Sequence, residues 1–165
     1  MSQRPPRPAT PELPPVLEFL RALWSLNHAL EVTSSDMHRR AGVTAQQRMV
    51  LRIVGHLGSV SAGMLSSLLH VHPGTLSAAL RRLEGRGLLA RQRAGDDARR
   101  VLVALTPLGE RLLATTEGTV EGAATQVLSE SEPEFISSAL LLMEQIARAL
   151  QLRHERSDAS DPTLP

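Results

Sequence analysis

The sequence predicts a mainly α-helical domain that contains one small β-hairpin. Apolar residues recur at three- and four-residue steps from Leu13 onwards and again after residue 132, which is typical of amphipathic helices. Between these regions, residues 88–93 and 99–105 have the character of two paired strands, joined by a turn that contains Gly-Asp-Asp. The expected order of elements is therefore α-α-α-α-β-β-α-α.

The four helices before the hairpin have recognisable ends. The first is expected to end before Gly42, because glycine commonly terminates a helix. Thr44 and Gln47 have the spacing of a capping box, which predicts the start of the second helix. Ser61 is expected to cap a short third helix, and Pro73 stands at a typical first position of the fourth.

Two further helices and two tails complete the expected organisation. Thr106 begins a fifth helix that is expected to run to about Leu128, and a last helix is expected over 132–152. Residues 1–12 and 153–165 are polar and contain proline, with few apolar residues to pack. We therefore predict that both ends of the chain are disordered tails.

Composition excludes several classes of protein. With 165 residues, 42% of them hydrophobic, the chain suits a single domain with a core of ordinary size. The lack of cysteine excludes disulfides, thiolate metal sites and cysteine nucleophiles. The sequence shows no secretory signal, membrane-spanning run, phosphate-binding glycine loop or paired catalytic carboxylates. We therefore expect a cytoplasmic protein that is not an enzyme, needs no cofactor and has no membrane partner.

The net charge of +1 conceals a basic segment. Residues 81–100 carry seven arginines and three acids, whereas residues 106–165 carry four arginines and ten acids. A local concentration of arginine is the usual electrostatic footprint of phosphate binding, although a solvated charged surface can have the same composition.

The fourth helix has the residues of a helix that reads DNA. If Leu76, Leu80 and Leu83 face a core, the opposite side presents small hydrogen-bonding residues followed by arginines. A helix in a major groove needs small residues for close approach and arginine to reach guanine. An ordinary surface helix with an arginine pair is the alternative. The residues predicted to contact DNA here are His72, Thr75, Ser77, Ala78, Arg81 and Arg82.

The hairpin supplies a second basic feature. Arg91 and Arg93 alternate on its first strand, and Arg99 and Arg100 begin its second strand. A basic hairpin beside a groove-reading helix can insert arginine into the minor groove or bind phosphates. We therefore predict that these four arginines contact DNA; the alternative is a hairpin that arginine merely keeps soluble.

Residues 44–113 resemble the MarR family of bacterial winged-helix transcriptional regulators. The matching stretches are TAQQRMVLRIVGHLG, SAGMLSSLLHVHPGTLSAALRRLEGRGLL and DDARRVLVALTPLGERLL, of which DARRVLVALT is similar to the family's wing signature. The resemblance implies a winged helix-turn-helix fold in which Asp97 braces Arg99, and Arg99 enters the minor groove. Ala78 and Arg81 depart from the residues that are common in the family, which leaves open the DNA sequence that the helix reads.

The terminal helices have more apolar surface than one small domain can cover, which favours a subunit interface. In the family that the chain resembles, the two terminal helices interlock in a two-fold dimer. This implies dimerisation helices at 13–41 and 132–152 and a DNA-binding lobe at 44–106, within a domain that spans 13–152. The residues predicted at the dimer interface are Leu13, Val16, Leu17, Leu20, Leu140, Met143, Ile146 and Leu150.

These features predict a homodimer that binds a palindromic operator in double-stranded DNA and represses transcription. The resemblance places a small-molecule effector near the first, second and fifth helices. Trp24, His28 and Met49 are candidate effector contacts, with core packing as the alternative. Two other functions stay open. One is a zinc-responsive regulator of the same fold, for which only His70 and His72 have ligand-like spacing; the other is a dimer that keeps the fold but binds proteins instead of DNA.

Overall fold

The computed structural model describes residues 12–94 and 97–159, with the side chains of 12–92 and 101–152. The chain divides into two compact units, Met1–Val120 and Glu121–Pro165. The elements in chain order are α1 (Pro15–Ala41), α2 (Ala45–Leu57), β1 (Ser59–Ser61), α3 (Ala62–Leu69), α4 (Pro73–Gly85), β2 (Leu89–Ala94), β3 (Asp97–Leu105), α5 (Pro107–Ala114), α6 (Val120–Ser129) and α7 (Pro133–Ala159). The predicted mainly α-helical winged helix-turn-helix fold is confirmed, with corrections to its element order.

The helix ends follow the local signals in the sequence. Gly42 terminates α1 in the left-handed conformation at φ +69°, and its N–H donates to the His38 carbonyl over 2.8 Å. Thr44 and Gln47 form the predicted capping box at the start of α2. The Ser61 hydroxyl accepts the hydrogen bond that begins α3. These ends were predictable because each depends on residues within one helical turn.

The sheet has three antiparallel strands in the order β1-β3-β2, one strand more than predicted. In β1, Val60 pairs with Val103 of the central strand, and Arg91 of β2 pairs with the same residue from the other side. A strand of three residues is too short to show an alternating pattern, so β1 could not be recognised from periodicity.

The core of the first unit lies between α2, α3, α4 and the sheet. Its fully buried side chains include Leu51 of α2, Leu65 of α3, and Leu80 and Leu83 of α4, together with Leu88 just before β2. Burial of a leucine side chain is worth about 1.5–3 kcal/mol. Core packing therefore positions α4 and leaves its opposite side available to solvent.

The predicted fifth helix over 106–128 is wrong, because the structure divides it into α5 and α6. The break occupies residues 115–119, where Thr115 is extended and Gly118 is left-handed at φ +68°. Glycine is a weak helix former and adopts a positive φ at little cost, so it suits a break.

Two arginines of α2 stabilise this break. Arg48, only 3% exposed, donates hydrogen bonds to the carbonyls of Leu112 and Thr115. Arg52 donates to the Leu113 carbonyl over 2.8 Å. The last carbonyls of a helix lack partners within the helix, and these guanidinium groups supply them.

The second unit contains α6 and α7. The predicted last helix continues seven residues beyond Leu152, to Ala159, because residues 153–159 contain neither glycine nor proline. Of the two predicted tails, residues 1–11 and 160–165 lie outside the described part of the chain. The large apolar side chains exposed in this unit include Val127, Leu128, Phe135, Leu140, Leu141, Leu142, Met143, Leu150 and Leu152.

Among the residues described, no helix combines the length and the apolar character needed to cross a membrane.

Candidate nucleic-acid interface

The exposed side of α4 carries the residues that the sequence predicted to contact DNA. Leu76, Leu80 and Leu83 are buried on its inner side. On the outer side, Thr75, Ser77, Arg81 and Arg82 are exposed and Ala78 is half-buried. The helix therefore presents hydroxyl groups near its amino end and guanidinium groups one turn later, as a groove-reading helix requires.

His72 has a structural role at the start of this helix. It is the N-cap residue of α4, and its Nδ1 accepts a hydrogen bond from the Gly74 N–H over 3.1 Å. Nδ1 must be unprotonated to accept this bond. The ring is exposed, so the residue can cap the helix and still lie at its outer surface.

The two arginines of α4 differ from Arg91 of the hairpin in their surroundings. Arg81 and Arg82 form no ion pair with any side chain that the structure describes. Arg91 donates from Nε to Oε1 of Glu84 over 2.8 Å. Because Glu84 is the only acid in α4, this pair partly neutralises the one negative charge that would repel a phosphate from the helix.

The remaining predicted wing residues have a described backbone but no described side chain. Arg93 lies in β2, and Asp97, Arg99 and Arg100 lie in β3. The register of the β2–β3 pairing shifts between Arg93 and Ala94. The expected contact between Asp97 and Arg99 lies outside the described side chains.

Arg86 is a residue of this region that the sequence did not identify. It follows α4 as its C-cap, and its guanidinium donates hydrogen bonds to the carbonyls of Ala41 and Gly42 at the end of α1. The partners lie more than 40 residues away in the chain, so no local sequence signal could have indicated them.

A cleft of about 560 Å³ runs between α4 and the first half of α2. Its α4 side includes Thr75, Ala78 and Arg82, and its α2 side includes Gln46 and Met49. Residues predicted to read DNA therefore line a concave surface. The half-burial of Ala78 follows from its position within this cleft.

A second cavity, of about 430 Å³, lies within the first unit between the end of α1, the start of α2 and α5. Arg40, Arg48 and Arg111 line it together with apolar side chains and one acid, Glu117. The remaining lining residues are Met37, Ala41, Val43, Leu108, Leu112, Thr115, Gly118 and Thr119.

Of the three candidate effector contacts, only Met49 lines one of the two cavities described above. Met49, 55% exposed, lines the cleft beside α4. Trp24 is 70% exposed, and His28 is also exposed on α1. The alternative explanation for these residues was core packing. It is wrong for the single chain, because all three side chains are exposed to solvent.

The predicted interface residues lie on the surface of both units. In the first unit, Leu13, Val16 and Leu17 are exposed and Leu20 is half-buried. In the second unit, Ile146 is half-buried and three further residues are exposed, namely Leu140, Met143 and Leu150. Each unit by itself thus leaves an apolar helical surface uncovered.

The described part of the chain places no third metal ligand beside the histidine pair. Among the described residues, no group of three or more histidine, aspartate or glutamate side chains could hold a metal ion. His70 is the left-handed C-cap of α3 at φ +50°, while His72 caps α4, so both have local structural roles.

Comparison with other proteins agrees with this geometry. The model of the MarR family matches residues 43–101, and no curated protein matches the sequence. A MepR-like protein complexed with pseudoligands is 22% identical, with a TM-score of 0.64 over 83% of this chain and 97% of its own. A mutant of MarR from E. coli with operator DNA is 20% identical, with a TM-score of 0.61 over 79% and 94%. Streptococcus pneumoniae FabT with DNA is 20% identical, with a TM-score of 0.60 over 82% and 95%.

Proposed function

We propose that this chain, whose residues 43–101 match the model of the MarR family, is a MarR-family regulator that represses transcription as a homodimer bound to a palindromic operator. One observation carries the proposal. The core holds α4 so that its outer side presents hydroxyl and guanidinium groups, and the single acid of the helix is paired with Arg91. This combination suits a helix that enters the major groove of double-stranded DNA.

The residues of α4 divide into two roles. Thr75, Ser77 and Ala78 are small enough for the helix to approach the base edges, and Arg81 can form two hydrogen bonds with guanine. Arg82, which lines the cleft together with Thr75 and Ala78, is assigned to the phosphate backbone. The positive amino-terminal end of α4, capped by His72, also favours a phosphate.

The hairpin extends the contact beyond the major groove. Arg99 is assigned to the minor groove, with Asp97 as its brace, as the resemblance to the family implies. Arg91, Arg93 and Arg100 are assigned to phosphates, which they would contact irrespective of DNA sequence. Two solved structures of this fold, MarR from E. coli with operator DNA and FabT with DNA, support a role in DNA binding.

The dimer follows from the uncovered apolar surfaces of α1 and α7. Their burial in a subunit interface would be favoured by about 1.5–3 kcal/mol for each large side chain. A two-fold dimer carries two copies of α4, and such proteins bind half-sites about one helical turn of DNA apart. This geometry is the reason to expect a palindromic operator.

We also propose that a small molecule, on binding the protein, releases it from its operator. The cavity of about 430 Å³ lies beside the junction of α1 and α2, and its lining combines apolar side chains with three arginines. Such a lining suits a ligand with an apolar body and polar or anionic groups. The structure of a MepR-like protein with pseudoligands supports the idea that this fold accepts small molecules.

The test begins with the DNA sequence that the full chain prefers. Duplexes enriched by the protein from a random-sequence pool are compared with shuffled duplexes in a mobility-shift assay. Arg81→Ala is expected to weaken binding to the enriched duplex by about 1–3 kcal/mol and to relax preference at particular base pairs. Arg39→Ala is the matched control, because Arg39 is an exposed arginine of α1 paired with Asp36.

Three results would contradict the proposal. Failure of the protein to enrich any duplex would exclude sequence-specific DNA binding. An equal loss on enriched and shuffled duplexes for Arg81→Ala would assign Arg81 to phosphate contact. A loss of the same size for Arg39→Ala would show that general positive charge, and not α4, accounts for binding.

A further inference from the structure

Arg86 joins the end of α4 to the end of α1. From the C-cap position of α4, its guanidinium donates to the Gly42 carbonyl through one terminal nitrogen and to the Ala41 carbonyl, over 3.0 Å, through the other. These carbonyls lie at the carboxyl end of a helix, where partners within the helix are missing and positive charge is favourable. The planar fork of arginine can serve two neighbouring acceptors at once.

The backbone of Gly42 is shaped for this contact. Its left-handed φ of +69° closes α1, and a Cβ at this position would lie only 2.5–2.7 Å from three guanidinium atoms of Arg86. Glycine therefore permits both the helix end and the close approach of the arginine. The remaining contacts of α1 with the lobe include a bond from the Ala45 N–H to Ser34 Oγ, which attaches α1 to α2 and not to α4.

A phosphate contact is the competing role for an exposed arginine in this basic segment. The hydrogen bonds argue against it, because both terminal nitrogens of Arg86 already have carbonyl acceptors in the protein. Arg81 and Arg82, one turn earlier, have no such acceptors among the described residues. Arg81 and Arg82 can therefore contact phosphates, whereas the guanidinium of Arg86 is already bound to the protein backbone.

We propose that Arg86 is a positioning residue, which fixes the carboxyl end of α4 against α1 and thereby sets the orientation in which α4 meets DNA. The inference rests on the proposed function, since it assumes that α4 reads DNA. The same contact could also connect ligand binding with DNA binding by α4. Ala41, which accepts a bond from Arg86, lines the cavity of about 430 Å³, so an occupant that shifts the end of α1 would also shift the attachment of α4.

The test measures binding by fluorescence anisotropy, on the duplex that the wild-type chain enriches from a random pool and on its shuffled counterpart. Arg86→Ala is expected to weaken binding to the enriched duplex about tenfold, as the loss of charge-assisted hydrogen bonds would. Binding to the shuffled duplex and the slope of log K against log salt should stay close to wild type, because no phosphate contact is lost. Arg82→Ala, the control, should instead weaken both duplexes and make the salt slope less steep.

Two more variants separate positioning from charge and from misfolding. Arg86→Lys keeps the charge but lacks the fork, so it should behave like Arg86→Ala. Gly42→Ala displaces the guanidinium while Arg86 stays in the chain, and should reproduce the loss. In the double variant, Gly42→Ala with Arg86→Ala, the loss should be smaller than the sum of the two, as expected for residues in contact.

The outcomes are distinguishable. Full affinity in Arg86→Lys combined with a shallower salt slope in Arg86→Ala would overturn the inference and make Arg86 a phosphate contact. Additive losses in the double variant would also overturn it. If Arg86→Ala does not fold, the Arg86→Lys and Gly42→Ala measurements decide the question. A wild-type chain that enriches no duplex would overturn the proposed function, and this inference with it.

Discussion

Replacing Gly109 by alanine is expected to lower the free energy of unfolding, although alanine is the better helix former. Gly109 is buried in the first turn of α5, where its N–H donates to Thr106 Oγ1 over 3.1 Å. A Cβ at this position would overlap the backbone carbonyl oxygen of Leu88 and lie 3.0 Å from Cδ2 of Leu105. The carbonyl directly precedes β2, so it cannot move aside unless the strand moves with it.

Two effects of opposite sign determine the size of the change. Alanine stabilises a helix interior relative to glycine by about 0.5–1 kcal/mol. Overpacking of a close-packed site costs about 1–3 kcal/mol, and a clash with backbone falls towards the upper end because a rotamer change cannot relieve it. The difference predicts a net loss of about 1–2 kcal/mol, or about 2–4 °C in Tm for each kcal/mol.

The assay is urea unfolding followed by far-ultraviolet circular dichroism, with Gly63→Ala as the control. Gly63 lies on the exposed side of α3, where an added Cβ would have no neighbour within 4 Å. That variant should gain about 0.5–1 kcal/mol, since only the helix preference changes. If Gly109→Ala gained as much stability as Gly63→Ala, the close approach of α5 to the backbone before β2 would be refuted.

Other variants test the hairpin, the cap of α4 and the last helix. Arg99→Ala is expected to weaken DNA binding by about 1–3 kcal/mol without loss of stability, and wild-type affinity in a folded variant would refute its minor-groove role. His72→Ala should lower the free energy of unfolding by about 1 kcal/mol because the N-cap acceptor is lost, while His72→Asn should retain it; equal urea midpoints for the two variants would contradict the cap. Deletion of 133–165 should give aggregated protein without specific DNA binding, whereas deletion of 160–165 should change little, as judged by light scattering and mobility shift. A well-folded monomer from the longer deletion that still binds the palindrome would show that α7 does not form the dimer.

The parts of the fold that the sequence predicted correctly depend on neighbouring residues. The capping box of Thr44 and Gln47, the serine cap of α3 and the glycine end of α1 each involve residues a few positions apart. The exposed side of α4 was predictable for the same reason, because helical spacing places Leu76, Leu80 and Leu83 together. Local chemistry thus located most of the candidate site.

The parts that the sequence did not predict depend on contacts between distant segments. The break between α5 and α6 is stabilised by Arg48 and Arg52 of α2, which lie more than 60 residues from the carbonyls that they bind. The attachment of Arg86 to α1 likewise joins residues more than 40 positions apart. The sequence shows an arginine at each of these positions. It does not show which carbonyls accept the hydrogen bonds, because every residue carries a carbonyl.

The third strand of the sheet has a consequence for how the lobe folds. The hairpin of β2 and β3 joins neighbours in the chain, whereas the pairing of Val60 with Val103 closes a loop that contains α3, α4 and β2. Closing a long loop costs chain entropy before its contacts compensate, and such non-local pairing slows folding. Because the loop encloses the whole helix-turn-helix, β1 should separate from β3 only when this region opens as well. We therefore expect α4 and the hairpin of β2 and β3 to fold and unfold as one kinetic unit. In the cell, the lobe should then be either fully folded or fully unfolded.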